Sequence, residues 1–153
     1  VWVDVVVPRG DPLWSDDVGR AFHWFGDAWS RALVELGADA SEVEVHEGAL
    51  CTTPLSPVVC FAGLGPGEVT VGGRKAVGVS QRRTRDFIRL QSSALLGWDP
   101  DRHAALLAPG VRRVVGEVAA ADALRAVALA PLVGPPRPDA VVRALLGELP
   151  EEE

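Results

Sequence analysis

The chain contains no methionine, only two cysteines and only three histidines. Cys51 and Cys60 are too few for a disulfide framework and do not have the spacing of a zinc site. The histidines His23, His46 and His103 lie far apart, so no group of residues has the spacing of metal ligands. The sequence therefore excludes a disulfide scaffold and predicts no metal site.

Long apolar runs and an excess of positive charge are missing as well. No run approaches the roughly 18 apolar residues that span a bilayer, and no signal peptide is visible. The net charge of −6 argues against nucleic-acid binding, for which a basic face would be expected. We therefore expect no membrane and no nucleic acid among the partners, and a reducing cytoplasm as the default location.

A length of 153 residues, 48% of them hydrophobic, suits one soluble domain with its own core. The chain opens directly in the β-branched run Val1–Val7, with neither methionine nor a polar lead-in. This run predicts a buried central strand. We interpret the chain as a fragment that begins inside a sheet whose earlier strands are missing.

A long amphipathic helix is predicted next. Ser15 would cap its start, Asp16 and Asp17 would lie in its first turn, where negative charge suits the helix dipole, and Gly37 would end it. One face carries apolar residues at three- and four-residue steps, namely Val18, Phe22, Phe25, Trp29, Ala32, Leu33 and Leu36. We interpret this stripe as core, and the adjacent aspartates as helix-start residues rather than as a catalytic pair.

The last third of the chain is predicted to be helical. Asp99 and Pro100 would start a helix that runs to about Leu107, and further helices would cover 118–130 and 139–149. A proline-rich link would occupy 131–138, and the acidic tail would fray.

Short strands are predicted over 43–46, near an edge, and over 58–61 and 87–96. The Gly-rich turn at 62–67 lacks the lysine and hydroxyl of a P-loop and does not precede a helix, so we reject a nucleotide-binding P-loop. Arginine is locally dense, which indicates either a solvated strand end or an anion-binding group at Arg82, Arg83, Arg85 and Arg89.

A β-hairpin is predicted around Gly72 and Gly73, which separate the strand-type runs 68–71 and 74–81. A two-residue loop would place Val71 opposite Arg74. A three-residue loop with a bulge would gather the valines of both strands and Lys75 on one face, and we favour it for that reason.

Lys75 and Cys60 are the candidate catalytic residues. Lys75 is either a snorkelling side chain at a strand end or an ammonium directed at an acyl carbonyl or a phosphate; the small residues around it leave room for a ligand. Cys60, fifteen positions earlier, is either a buried structural thiol or a nucleophile that a nearby positive charge would activate.

The stretch Glu68–Arg83, EVTVGGRKAVGVSQRR, resembles the core motif of the lipoate–protein ligase A and biotin/lipoate ligase superfamily. The likeness covers about residues 1–108, the C-terminal portion of a catalytic domain, with 109–153 as a helical extension of the same domain. It implies an α/β (α+β) fold with a mixed, largely antiparallel sheet packed by helices. It also implies that lipoyl or octanoyl groups are attached to a lysine of a lipoyl domain or other acyl-carrier protein.

The resemblance assigns roles to residues of the motif. Lys75 would contact the acyl carbonyl and the phosphate of an acyl-adenylate, which ligases make from ATP with Mg²⁺. Cys60 and Phe61 look like the Cys-Phe of the cysteine-dependent octanoyltransferases, in which a thioester replaces the adenylate and no cofactor is needed. Substrate would be bound by Glu68, Gly72, Gly73, Arg74, Gly78, Val79, Ser80 and Gln81.

Two features depart from that family pattern. Its Arg-Arg/Gly-rich substrate loop should precede residue 1, and the His-Gly usual in the last strand is Ser92-Ser93 here. Three functions stay open: a lipoate–protein ligase, a cysteine-dependent octanoyltransferase, and a non-catalytic relative that binds an acyl group or a carrier protein. We favour the ligase, because a free cysteine between Val59 and Phe61 is most often structural.

Overall fold

The computed structural model describes residues 1–111, 126 and 128–150. Within these residues, five strands form one antiparallel sheet in the order β1-β5-β4-β3-β2, with bounds β1 Trp2–Pro8, β2 Val43–Val45, β3 Val69–Val71, β4 Arg74–Arg83 and β5 Phe87–Ala94. The α-helices of these residues are α1 His23–Glu35, α2 Pro100–Leu106, α3 Ala130–Val133 and α4 Pro138–Glu148. The predicted fold class, a largely antiparallel sheet packed by helices, is confirmed, and the described strands all pair antiparallel rather than as a mixed sheet.

One face of the sheet is covered by α1 and α4. Phe25, Trp29 and Leu33 follow one another at four-residue steps on α1 and are fully buried, as the periodicity predicted. Val141 and Leu145 of α4 enter the same core, so the predicted helix over 139–149 is confirmed. The division at residue 108 stays a prediction. Among the described helices, none has the length and hydropathy needed to cross a membrane.

The first strand lies at an edge of the sheet, so its prediction as a buried central strand is wrong. β1 pairs with β5 alone among the described strands. Trp2 and Val6 are 64% and 55% exposed, while Val7 is buried against the core. A run of β-branched residues fits a strand with one covered face as well as one with two, and the sequence does not distinguish them.

The long helix begins at His23 rather than after Ser15. Asp17 Oδ1 accepts hydrogen bonds from the backbone N–H groups of Gly19 and Arg20, at 2.9 and 3.1 Å, and so caps a short 3₁₀ turn over Arg20–Phe22. The expected cap at Ser15 is therefore wrong, because the carboxylate two residues later satisfies the free N–H groups. The helix ends at Glu35, and Gly37 follows with φ of +108°, as a C-terminal glycine should.

The segment 58–61 is not a strand. The carbonyl of Leu55 accepts from the N–H groups of Val58 and Val59, at 3.0 and 2.9 Å, and a 3₁₀ turn follows over Cys60–Ala62. Pro57 has no N–H to give to a ladder, so a series of turns replaces the strand. The strands over 43–46 and 87–96 are confirmed, as β2 at the other edge and as β5.

The predictions for the last third of the chain have different outcomes. The helix after Asp99 is confirmed, with Asp99 as its cap and Pro100 in its first turn. The helix over 118–130 lies largely outside the described residues, as does the acidic tail; the described Ala126 forms a parallel β-bridge with Lys75. The link over 131–138 is not wholly irregular, because α3 runs into it.

The hairpin has the two-residue loop, with Val71 opposite Arg74, so the preferred three-residue loop is wrong. Gly72 and Gly73 both have positive φ, +56° and +70°, which such a tight loop requires and other residues rarely adopt. A bulge is present one step later: Thr70 pairs with Lys75 and Val69 with Val77, which leaves Ala76 unpaired.

Packing of α4 on α1 gives a direct test of the fold. Leu145 is fully buried and its neighbour Leu146 is 57% exposed. We expect Leu145→Ala to lower the free energy of unfolding by about 2–5 kcal/mol, because it leaves a cavity in the core. The matched control Leu146→Ala should change it by less than about 0.5 kcal/mol. Urea unfolding of the two variants checks this, and equal losses would contradict the helix orientation.

Candidate active site

A cleft of about 630 Å³ lies between β4 and the loop that precedes β3. This volume falls within the range of small-molecule sites, roughly 300–1,000 Å³. Lys75, Glu68 and Cys60 line the cleft together with Val79. Two of the residues are buried charges, Glu68 and Lys75, and the rest of the lining is apolar, small or hydroxyl-bearing. The arrangement suits an apolar ligand with one polar end.

Lys75 is the only lysine of the sequence and is 5% exposed. Its ammonium lies 2.7 Å from Glu68 Oε2 and donates hydrogen bonds to the carbonyl oxygens of Cys60, at 2.9 Å, and Gly63, at 3.0 Å. The ammonium also lies 5.1 Å from the ring centroid of Phe61. An ammonium has three protons to donate, and all three have protein acceptors here.

Glu68 is equally well bound. Its Oε2 accepts the N–H of Gly65 at 2.7 Å besides meeting the ammonium of Lys75, and its Oε1 accepts the N–H of Val79 at 3.1 Å. Burial of a single charge would be strongly unfavourable, but a charge pair with further hydrogen bonds is tolerated. The sequence motif indicated Glu68 as a substrate-binding residue; in the structure, its carboxylate is the counter-ion of Lys75.

The two-residue loop of the hairpin decides which way Lys75 faces, because it pairs Lys75 with Thr70 before the bulge at Ala76. Thr70, its partner in the ladder, lies on the face of β3 opposite to Val69 and Val71, which belong to the core. Lys75 therefore does not share a face with those valines, contrary to the expectation. Gly78 makes room for it, because a Cβ at that position would lie 3.1 Å from Lys75 Cε.

Cys60 is exposed and lines the same cleft as Lys75. The alternative in which Cys60 is a buried structural thiol is therefore wrong. The turn that replaces the predicted strand places the carbonyl of Cys60 on the ammonium of Lys75. The two residues that the sequence singled out are brought together, although fifteen positions separate them.

The other residues of the motif lie at different distances from this centre. Val79 lines the cleft and Gly78 adjoins Lys75. Gly73 lines a smaller cavity of about 140 Å³ on another side of Lys75. The large cleft is not lined by the remaining residues of the motif, which are Gly72, Arg74, Ser80 and Gln81. Ser92, at the position of the family's histidine, is buried beside Val79 in the sheet and donates to the carbonyl of Val3.

Sequence reasoning missed the loop side of the cleft. Leu50, Thr52, Thr53 and Ser56 line it, and Phe22 lines it from the turn before α1. The cluster of hydroxyl side chains between the two cysteines could have indicated a binding loop. The sequence of a loop does not reveal, however, which face of the sheet the loop covers. Cys51 lines the smaller cavity, with its Sγ 4.0 Å from His46 Nε2.

The chain is similar in sequence to a curated protein and in fold to several solved structures. No protein-family model matches the chain. The octanoyltransferase LipM of Kyrpidia tusciae is 31% identical over 137 residues, which are 89% of this chain and 50% of that protein. The chain thus spans about half the length of this curated relative.

The solved structures of similar fold include two lipoate-protein ligases. A lipoate-protein ligase A bound with ATP gives a TM-score of 0.59 at 18% identity and covers 96% of this chain and 49% of its own. A bi-partite lipoate protein ligase from Thermoplasma acidophilum, studied with its E2 lipoyl domain, has a TM-score of 0.63 at 16% identity. The match covers 95% of this chain and 48% of that ligase chain. At such identities, the similarity shows the fold. The predicted resemblance is confirmed: the chain has the fold of lipoate-protein ligases and is similar in sequence to an octanoyltransferase.

Proposed function

We propose that this chain is the part of an acyltransferase that carries an octanoyl group on Cys60 and delivers it to a lysine of a lipoyl domain. The observation that carries the proposal is the joint placement of an exposed Cys60 and the Lys75 ammonium in one cleft. The similarity to an octanoyltransferase over most of the chain supports it. This proposal departs from the ligase that the sequence favoured, whose main premise was a buried cysteine.

The chemistry has two acyl transfers that balance. In the first, the Cys60 thiolate attacks the thioester carbonyl of an octanoyl-carrier protein; a new carbon–sulfur bond forms, the carbon–sulfur bond to the carrier breaks, and the carrier leaves as a thiolate. In the second, the amine of the target lysine attacks the Cys60 thioester, an amide forms, and the Cys60 thiol is released. Both steps place negative charge on the carbonyl oxygen of the acyl group.

Lys75 is the described residue of the cleft that can stabilise this charge. Its ammonium already binds two neutral carbonyl oxygens, those of Cys60 and Gly63. The acyl oxygen can take the place of one of them, and the interaction then strengthens as charge develops. The apolar lining from Phe22, Leu50 and Val79 suits the hydrocarbon tail of the same group.

A lipoate–protein ligase is the second candidate, because an ATP-bound ligase shares the fold. The described part of the cleft holds one cation, Lys75, which is paired with Glu68. The described residues also contain no group of three acidic or imidazole side chains that could hold a metal ion. These residues do not by themselves fit a triphosphate with Mg²⁺, so we derive no step through ATP.

The partners of the proposed reaction are an octanoyl-carrier protein as donor and a lipoyl domain as acceptor. A cytoplasmic location accords with two cysteines that are both free thiols. A non-catalytic relative that only binds an acyl group or a carrier would need the same cleft without the thiol chemistry.

The first test is the covalent intermediate. Incubation with an octanoyl-carrier protein should give an octanoyl adduct that mass spectrometry locates on Cys60 and that hydroxylamine removes. Cys60→Ser should abolish both the hydroxylamine-sensitive adduct and transfer to a lipoyl domain. Cys51→Ser, which changes the other exposed thiol, is the matched control and should retain the adduct. Full ATP-dependent transfer by Cys60→Ser would instead establish the ligase.

The second test separates the catalytic part of Lys75 from its structural part. Lys75→Met should lower the free energy of unfolding by about 3–5 kcal/mol, because it leaves Glu68 buried without its counter-ion. The paired variant Lys75→Met/Glu68→Gln removes both charges and should recover most of that loss. Octanoyl transfer should nevertheless stay about 100-fold or more below that of the parent, because no cation meets the acyl oxygen. Normal transfer by the paired variant would make Lys75 purely structural.

A further inference from the structure

Glu68 binds three groups from two segments that form the cleft, which are β4 and the loop before β3. Its carboxylate meets the ammonium of Lys75 at 2.7 Å, the N–H of Gly65 at 2.7 Å and the N–H of Val79 at 3.1 Å. We infer that Glu68 is a positioning residue: it fixes the Lys75 ammonium and the loop over 63–67 relative to β4. The inference rests on the proposed function and deepens it, because it names the residue that prepares Lys75 for the acyl oxygen.

The contacts form a closed ring around the cleft wall. Glu68 holds the N–H of Gly65, and two residues earlier the carbonyl of Gly63 accepts from Lys75. Lys75 in turn meets Glu68, and it also holds the carbonyl of Cys60. The thiol-bearing turn is therefore attached to the sheet through Lys75, and Lys75 is attached through Glu68. A displacement of Glu68 would move the cation and the turn of Cys60 together.

The three acceptors of Lys75 are unequal. Two are neutral backbone carbonyls, and one is a carboxylate that is itself buried, with its side chain 8% exposed. A charge-assisted hydrogen bond is roughly twice as strong as a neutral one. An entering acyl oxygen therefore displaces a carbonyl, whereas Glu68 stays bound and keeps the ammonium in place. This role differs from substrate binding, because both oxygens of Glu68 already have protein donors.

The test uses Glu68→Gln, which keeps the size of the side chain and replaces one acceptor oxygen with an NH₂ group. That group cannot accept from an N–H or an ammonium, so at least one of the three contacts is lost. Glu44→Gln, at an exposed position of the neighbouring edge strand, is the matched control. We expect the maximal rate of Cys60 octanoylation to fall about 100-fold in Glu68→Gln, with a much smaller change in the half-saturating carrier concentration. Glu68→Asp, which keeps the charge, should recover part of the rate.

A second readout does not depend on activity. Lys75 is the only lysine, so labelling with ¹⁵N-lysine gives one side-chain ammonium signal in NMR spectra. In the parent, this signal should be sharp and its protons should exchange slowly, because the ammonium is buried and has three acceptors. In Glu68→Gln, the ammonium protons should exchange at least about tenfold faster. A loss of roughly 1.4 kcal/mol in the free energy that holds the ammonium in place corresponds to a tenfold higher exchange rate. The control Glu44→Gln should leave the signal unchanged.

The outcomes separate the inference from the function on which it rests. Unchanged ammonium exchange in a folded Glu68→Gln variant overturns the inference, whatever the activity. Faster exchange with an unchanged rate of Cys60 octanoylation also overturns it, because the position of Lys75 would then not matter. A parent protein that never acquires an octanoyl group contradicts the proposed function, and the exchange rates still decide whether Glu68 positions Lys75.

Discussion

The site depends on one buried ion pair, between Lys75 and Glu68. Both side chains are almost completely buried, and each would be strongly unfavourable in the interior alone. The pair is tolerated because every proton of the ammonium and both oxygens of the carboxylate have partners. These partners are backbone groups of the surrounding loop and strand, so the requirement to satisfy two charges also fixes the shape of the cleft.

The sheet supplies the geometry that this pair needs. The tight turn at Gly72 and Gly73 brings β3 and β4 together, and the bulge at Ala76 returns the later valines of β4 to the core while Lys75 faces the other side. One face of the hairpin thus packs in the core with α1 and α4, and Lys75 faces the opposite side and lines the cleft. Without the bulge, the side chains of the β4 residues after Lys75 would lie on the opposite face of the sheet.

Exposed Cys60 and the paired ammonium of Lys75 line one cleft, and the proteins similar to this chain include both an octanoyltransferase and a ligase. The octanoyltransferase shares the clearer sequence similarity, and the ATP-bound ligase shares the fold. One lysine can serve either reaction, because each develops negative charge on an acyl oxygen. Under the proposed function, the residue that separates them is Cys60, which lies in the turn over Cys60–Ala62 and lines the cleft.

The sequence alone determined several of the local elements and the identity of the lysine in the cleft. Periodicity predicted the buried face of α1, the glycine pair predicted the hairpin, Asp99-Pro100 predicted the start of α2, and the motif around Lys75 predicted the superfamily fold. These features depend on neighbours a few positions apart, which the sequence lists directly.

Only the tertiary structure decided the partners of Lys75, the exposure of Cys60 and the position of β1 at an edge. Glu68 stood in the motif, yet its distance from Lys75 follows from the two-residue loop, which the sequence left open. Cys60 lies in the cleft because its segment turns instead of extending, and apolar residues are compatible with both conformations. Each of these facts depends on which segments meet across the fold, and such contacts are set by packing and by the pairing of buried charges.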